Sequence, residues 1–204
     1  MSEEKRENII SAAKQAFAEK GFSAVGIREI ARHAGINSAT LYHYFKNKEE
    51  LYAAVLDRTF KEILSIMGEF ALMPKTDVFD GMLIRDMIYR YMDFLNDNRD
   101  FLKIMIHELN LDSDLISKIS KRYWKDFFSQ TEEFISEQKE LAGDIIRQKS
   151  SKHYLISSIG LCIAHFLLAP ILEAIEGEDQ FTKDKLDERK EAIADLMLYG
   201  TFED

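Results

Sequence analysis

Residues 26–51 read GIREIARHAGINSATLYHYFKNKEEL, and the punctuation of this stretch decides the fold. Gly26 can cap a short helix over about Ile27 to Ala34, and Glu29 stands at its third position, where a carboxylate favours a helix N-terminus. Gly35 permits a sharp turn. Asn37 caps a second short helix, about Ser38 to Phe45. Asn47 caps a third, with Glu50 three residues on in capping-box spacing. Two short helices across a glycine turn, followed by a capped long helix, have the layout of a helix-turn-helix unit.

Working outward, residues 4–20 predict a preceding helix with Ile9, Ile10, Ala13, Ala16 and Phe17 on one apolar face. Gly21 suits the position just past its end, with Phe22 folding back as the hydrophobic contact. Downstream, Leu51, Val55, Ile63, Met67 and Phe70 recur at helical spacing over about 48–70, and Pro74 ends that run. Further helices are expected over about 78–95, 101–109, 114–139, 149–175 and 183–199. The expected class is all-α with about nine helices: a three-helix helix-turn-helix domain over 1–47, then a helical bundle over 48–204 for effector binding and dimerisation.

The chain has 204 residues, two prolines and nine glycines, which suits long helices better than sheet. Net charge is −9, but unevenly spread. Residues 1–60 carry nine Lys and Arg against eight Asp and Glu; the remainder carries 18 against 28. A near-neutral head on an acidic body can present a local basic face while the body limits nonspecific sticking. The lone cysteine, Cys162, allows no intrachain disulfide and reads as a buried, inert thiol in a reducing compartment. The opening MSEEKRENII is charged and lacks a signal-peptide pattern. Tyr154 to Ile175 is the most apolar run, yet His165 and Pro170 interrupt it. It reads as a buried packing helix, so a cytoplasmic protein with no membrane partner is expected.

Within the helix-turn-helix, Ile30, Ala31, Ala34, Ile36, Leu41 and Phe45 can form the small core. Ser38, Ala39, Thr40, Tyr42 and His43 are left for an outward face. Thr40 can bond a base edge or touch a thymine methyl. Tyr42, His43 and Tyr44 can reach phosphates or sugars, as can Arg28. Lys46 and Lys48 are natural phosphate contacts, Lys48 beside a helix N-terminus. Read from spacing alone, this end of the chain is either a reader of double-stranded DNA or a small helical subdomain with aromatic core residues such as Tyr44.

The stretch GFSAVGIREIARHAGINSATLYHYFKNKEEL, residues 21–51, closely resembles the N-terminal domain of the TetR family of transcriptional regulators. The resemblance rests on AxxAG followed by TLYHYFxNKEEL. It implies that residues around 38–44 form the recognition helix and that Lys48 contacts phosphate. Two departures stand out. Val25 and Gly26 replace a common Thr or Ser pair, which removes a hydroxyl cap. Ser38-Ala39 replaces a frequent Lys-Gly, which removes a basic contact.

For the body, long apolar faces require bundling. The resemblance implies a homodimer through the last two helices, with Ser157, Ile159, Leu161, His165, Leu168, Leu196 and Met197 near the interface. It also implies a small-molecule pocket among the middle helices. Met67, Met87, Tyr91, Met105, Trp124, Phe127 and Phe128 are the candidate walls, and His107, Glu108 and His165 the polar points. Apolar walls with few polar groups suit an apolar or amphipathic effector. No cofactor or metal is expected: His107, Glu108, Asp112 and Asp114 match no established ligand spacing. The phosphate loop, dinucleotide fingerprint, HExxH and nucleophile elbow are all lacking, so no enzyme and no catalytic residues are expected. The combined reading is a repressor that binds a palindromic operator as a homodimer and is released by a small ligand. The rival is a helical ligand-binding or scaffold protein without specific operator binding.

Overall fold

The structure is a computed structural model that describes residues 2–71, 81–109 and 151–200, with 121, 125, 128, 129, 132, 133 and 136 between them. Among the described residues the eight helices are α1 (Glu3–Ala24), α2 (Ile27–His33), α3 (Ser38–Tyr44), α4 (Lys48–Ala71), α5 (Gly81–Asp97), α6 (Arg99–Leu109), α7 (Ser151–Glu176) and α8 (Lys183–Tyr199). The all-α expectation holds. The helix expected over 114–139 falls mainly outside the described residues.

The chain divides into two compact units, Met1–Glu62 with Asn98–Trp124, and Ile63–Asp97 with Lys125–Asp204. In the first unit α1 packs most extensively along α6. Buried Ala12, Ala13 and Ala16 keep α1 slim at its centre. Ile9, Ile10 and Phe17 of α1, Ile30 of α2, Leu41 of α3 and Leu51, Tyr52 and Phe60 of α4 are almost wholly enclosed. Phe60 meets Phe101 of α6 edge to face, centroids 5.4 Å apart, a favoured aromatic geometry.

Gly21 interrupts α1 with φ 76° and ψ 163°, a region essentially reserved for glycine. One more turn follows and ends at Val25. Phe22, just past the break, lies against Phe17 at 5.9 Å and Tyr52 at 4.8 Å. That is the fold-back contact expected at this position.

In the second unit Ile84, Ile88, Met92 and Leu95 bury the α5 face that meets α8 and α7. From α8 come Leu186, Ile193, Ala194 and Met197. Lys190 occupies the same α8 seam, its side chain only 8% exposed. Its ammonium reaches Asp93 at 2.7 Å and Asp187 at 3.0 Å. Burial opposes its charge, but the two carboxylates outweigh that and raise its pKa. Beside it Arg85 pairs with Glu191 and Asp195, and the Tyr89 hydroxyl donates to Glu191. These contacts run from α5 to α8.

α7 is only partly enclosed by its own chain. It is long and apolar enough to cross a membrane, yet only 22% of its most apolar window is buried within the chain. Leu155, Cys162, His165 and Ala169 face inward. Ile156, Leu167, Leu168, Ile171 and Ile175 are exposed, as are Leu196 and Tyr199 of α8. Cys162 is buried, and burial pushes its thiol up to about 12, which suppresses the reactive thiolate.

Candidate nucleic-acid interface

The turn between α2 and α3 is built by backbone hydrogen bonds. The Gly35 N–H donates to Arg32 O at 3.1 Å and the Ile36 N–H to Ala31 O at 2.9 Å, with Gly35 at φ 68°. This is a Schellman motif, with glycine at the left-handed position. It explains the AxxAG spelling: Ala31 and Ala34 are buried, and the glycine reverses the chain within one residue. From α1, Asn8 donates its side-chain amide to Ala34 O at 2.9 Å and ties the turn to the first helix.

Asn37 caps α3 as expected, its side-chain oxygen accepting from the Thr40 N–H at 2.7 Å. Asn47 likewise accepts from the Glu50 N–H at 2.7 Å. The reciprocal arm of the capping box differs: the Glu50 carboxylate accepts from the Lys46 N–H at 2.8 Å, one residue before the cap. Gly26 caps α2 with no side-chain hydrogen bond. Glu29, at the third position of α2, pairs with Lys20 of α1, and that hydrogen bond lowers its pKa.

The outward candidates sort by exposure. Ala39, Tyr42 and His43 are exposed on α3, with Tyr42 at 53%. Ser38, Thr40 and Tyr44 are half-buried. His43 and Tyr44 stand edge to face with centroids 5.9 Å apart. Arg28 and Lys46 are exposed; Lys48 is half-buried, with its ammonium on the Phe22 and Val25 carbonyls. The sequence reading missed Arg32, which is exposed one turn beyond Arg28 on α2. The i,i+4 spacing of the two arginines was the available signal.

The effector candidates are more scattered. Met87 and Tyr91 are half-buried on α5 in the second unit, and Tyr91 stacks on Phe94 at 6.4 Å. Burial pushes the Tyr91 hydroxyl pKa up. Phe128 is half-buried in the same unit. His165 is buried, with Nε2 3.1 Å from Gln180 O; a carbonyl only accepts, so Nε2 carries the proton. Burial, then Arg189, lower its pKa, against the raising effect of that hydrogen bond. Met105 and His107 belong instead to the first unit, where His107 is exposed and its ring flanks Gly21. Met67 is placed on α4 by its backbone alone. Glu108 is likewise placed on α6 by backbone, and Trp124, Phe127, Asp112 and Asp114 lie outside the described residues.

Residues 9–55, which include α2, α3 and the Gly35 turn, match the family described as bacterial regulatory proteins, tetR family. Over that N-terminal segment the chain is similar to the TetR family. It is 34% identical over 93 residues to the HTH-type transcriptional activator FasR of Mycolicibacterium smegmatis, a match covering 46% of this chain and 41% of FasR. Less than half of either protein is compared in that match. The likeness of fold extends further along the chain. The transcriptional regulator FadR from Bacillus subtilis, solved with stearoyl-CoA, superposes with a TM-score of 0.73 at 19% identity, covering 95% of this chain and 98% of that one. The fatty acid degradation regulator FadR from Bacillus halodurans superposes at 0.74 with 18% identity, covering 98% and 97%.

Proposed function

We propose that this chain is a transcriptional repressor that binds a palindromic DNA operator as a homodimer and is released by a small amphipathic ligand carrying a long acyl chain. The observation that carries the DNA part is the pairing of α2 and α3 across the Gly35 turn. α3 is capped at its N-terminus and keeps Ala39, Tyr42 and His43 on its exposed face. A recognition helix uses such N-terminal residues on base edges while its partner helix packs behind. Residues 1–47 would read DNA, and residues 48–204 would sense the effector and dimerise. Thr40, Tyr42 and His43 would meet bases or sugars, and Arg28, Arg32 and Lys46 the phosphates. Ser38 and Ala39 would lie against the groove, and Tyr44 beside the backbone.

Dimerisation is supported by the exposed apolar side chains of α7 and α8. A solvated chain that leaves Leu168, Ile171 and Leu196 about half exposed gains by covering them with a second copy. Of the residues expected near such an interface, Ser157, Leu168 and Leu196 are exposed and Ile159 and Leu161 half-buried, whereas His165 and Met197 are buried within the chain. A two-fold axis would set two heads on half-sites about 34 Å apart.

The effector class is supported by the half-buried Met87, Tyr91 and Phe128 of the second unit and by the names of the two FadR regulators. The ligand must bind the non-DNA-competent state more tightly. Full reversal of a 99:1 equilibrium requires about 10⁴-fold discrimination.

The test is selection of duplexes from a random 30-base-pair library by the intact chain, followed by anisotropy titration with stearoyl-CoA. Enrichment of a palindrome, salt-dependent binding and release by stearoyl-CoA are expected. No enrichment would favour a scaffold or ligand carrier and sink the DNA reading. Enrichment without release would remove the acyl effector, and a choline arm then tests a cationic one.

A further inference from the structure

Lys48 stands at the first position of α4, half-buried. Its Nζ donates to Phe22 O at 2.8 Å and to Val25 O at 3.0 Å, and it lies 4.3 Å from the centroid of the Phe22 ring. Val25 is the C-cap of α1, and Phe22 is the third helical residue back from it. The last carbonyls of a helix lack partners within it, and a cation there is favoured. The last turn of α1 carries no basic residue of its own. Lys48 supplies that cation from 26 and 23 positions downstream.

The clamped segment runs directly into α2. Val25 is buried at 1%, and Gly26 has no side chain with which to cap the next helix. Tyr52, one turn beyond Lys48 on α4, lies on the same Phe22 ring at 4.8 Å. Lys48 and Tyr52 therefore grip Phe22 from one face of α4. Two of the three ammonium protons are committed to carbonyls, so a phosphate would have to compete for a charge already held inside the fold.

We propose that Lys48 is a positioning residue: by holding the C-terminal carbonyls of α1 it fixes the entry of α2, and through the Gly35 turn the pose of α3, and it does not anchor a phosphate. This rests on the DNA reading above. The two roles predict different salt behaviour, because each lost phosphate contact makes the dependence of log affinity on log salt shallower by about 0.9.

The experiment compares the full-length chain with Lys48→Met, Lys48→Gln and Lys46→Gln. Binding is measured at 50–200 mM salt, with all chains folded, to the duplex enriched by wild type and to a random-sequence duplex. For Lys48→Met, affinity for the enriched duplex is expected to fall about tenfold, with the random duplex changed less than about twofold and both salt slopes unchanged. Lys46→Gln is expected to weaken both duplexes and flatten the slope. In the free chain Lys48→Met should lower Tm by roughly 3–6 °C. Lys48→Gln gives the same discrimination should the methionine variant not fold. Equal loss on both duplexes with a shallower slope, or unchanged affinity on both, would overturn the proposal. If wild type enriches no duplex, the DNA reading fails by itself, and an unchanged Tm in both Lys48 variants would separately remove the clamp.

Discussion

Thr40 is tied twice to Asn37. Its backbone N–H donates to the Asn37 side-chain oxygen at 2.7 Å, and its hydroxyl donates to the same atom at 3.0 Å. One carboxamide oxygen thus caps α3 and fixes the rotamer of the side chain best suited to read a base. The donated proton leaves the Thr40 hydroxyl oxygen as an acceptor and its methyl group for apolar contact, which restricts what it can recognise.

Asn37 substitutions should therefore separate folding from DNA binding. Asn37→Ala removes the cap and is expected to cost about 1 kcal/mol. Asn37→Asp keeps the cap and adds a negative charge favourable to the helix N-terminus, so its Tm should match or exceed wild type. That same charge would face phosphates, and affinity for the enriched duplex should fall at least about tenfold, most at low salt. Melting curves beside anisotropy titrations decide it. Undiminished binding by Asn37→Asp would place the N-terminus of α3 away from DNA.

Gly35 should be sensitive to backbone conformation alone. A Cβ there would meet nothing within 4 Å, so no clash enters, but φ is 68°. Gly35→Ala is expected to lose about 1–2 kcal/mol in urea melts, from the left-handed penalty. Gly35→Asn should lose less, because asparagine tolerates that region. Equal losses for both would point to a cause other than backbone strain.

Most of the head was legible because its signals are local. Gly35, Asn37 and Asn47 act through residues three or four positions away, and periodicity and cap chemistry report such contacts. The carbonyl contacts of Lys48 are not legible in sequence because its partners lie 23 and 26 residues upstream, beyond any helical spacing. The same limit applies to Lys190 of α8, whose ammonium meets Asp93 only through the packing of α8 on α5. α7 is the opposite case. Its composition reads as buried or interfacial, and an apolar side chain looks the same in sequence whether it meets its own chain or is left uncovered by it.

Lys190 offers a test of what that buried cation contributes. Its carboxylate partners are 59% and 43% exposed, so both can be hydrated when the cation is removed. Lys190→Met keeps the apolar stem in the seam and should lie within about 1 kcal/mol of wild type. Lys190→Glu would bury a carboxylate beside two others and should cost more than about 3 kcal/mol. Chemical denaturation of both variants checks the pair. A large loss in Lys190→Met would show that the ion pairs, not the stem, hold α5 to α8.

The exposed apolar face should control assembly without controlling the protomer fold. Ile171 is 56% exposed and Leu196 57%. Ile171→Glu and Leu196→Glu are expected to shift sedimentation from dimer to monomer while the helical circular dichroism spectrum is retained. Operator affinity should fall with the dimer, because one head makes only half the contacts. If both variants sediment as wild type, the two-fold interface lies on another face.

His165 should give the fold a dependence on mild acid. Burial, then Arg189, hold its pKa below the ordinary 6.5, despite the opposing hydrogen bond to Gln180 O. The native ring is therefore neutral where the unfolded ring has begun to take up a proton. Stability from this group is fully present above about pH 6.5 and is lost as pH falls from there toward the lowered native value. Its aromatic neighbours Phe166 and Phe181, at 5.3 and 5.9 Å, give an incoming proton no counter-charge. Denaturation midpoints from pH 7.5 to 5.0 should fall less steeply for His165→Gln than for wild type, even if the variant is weaker throughout. Parallel curves for the two chains would assign the acid response to other groups.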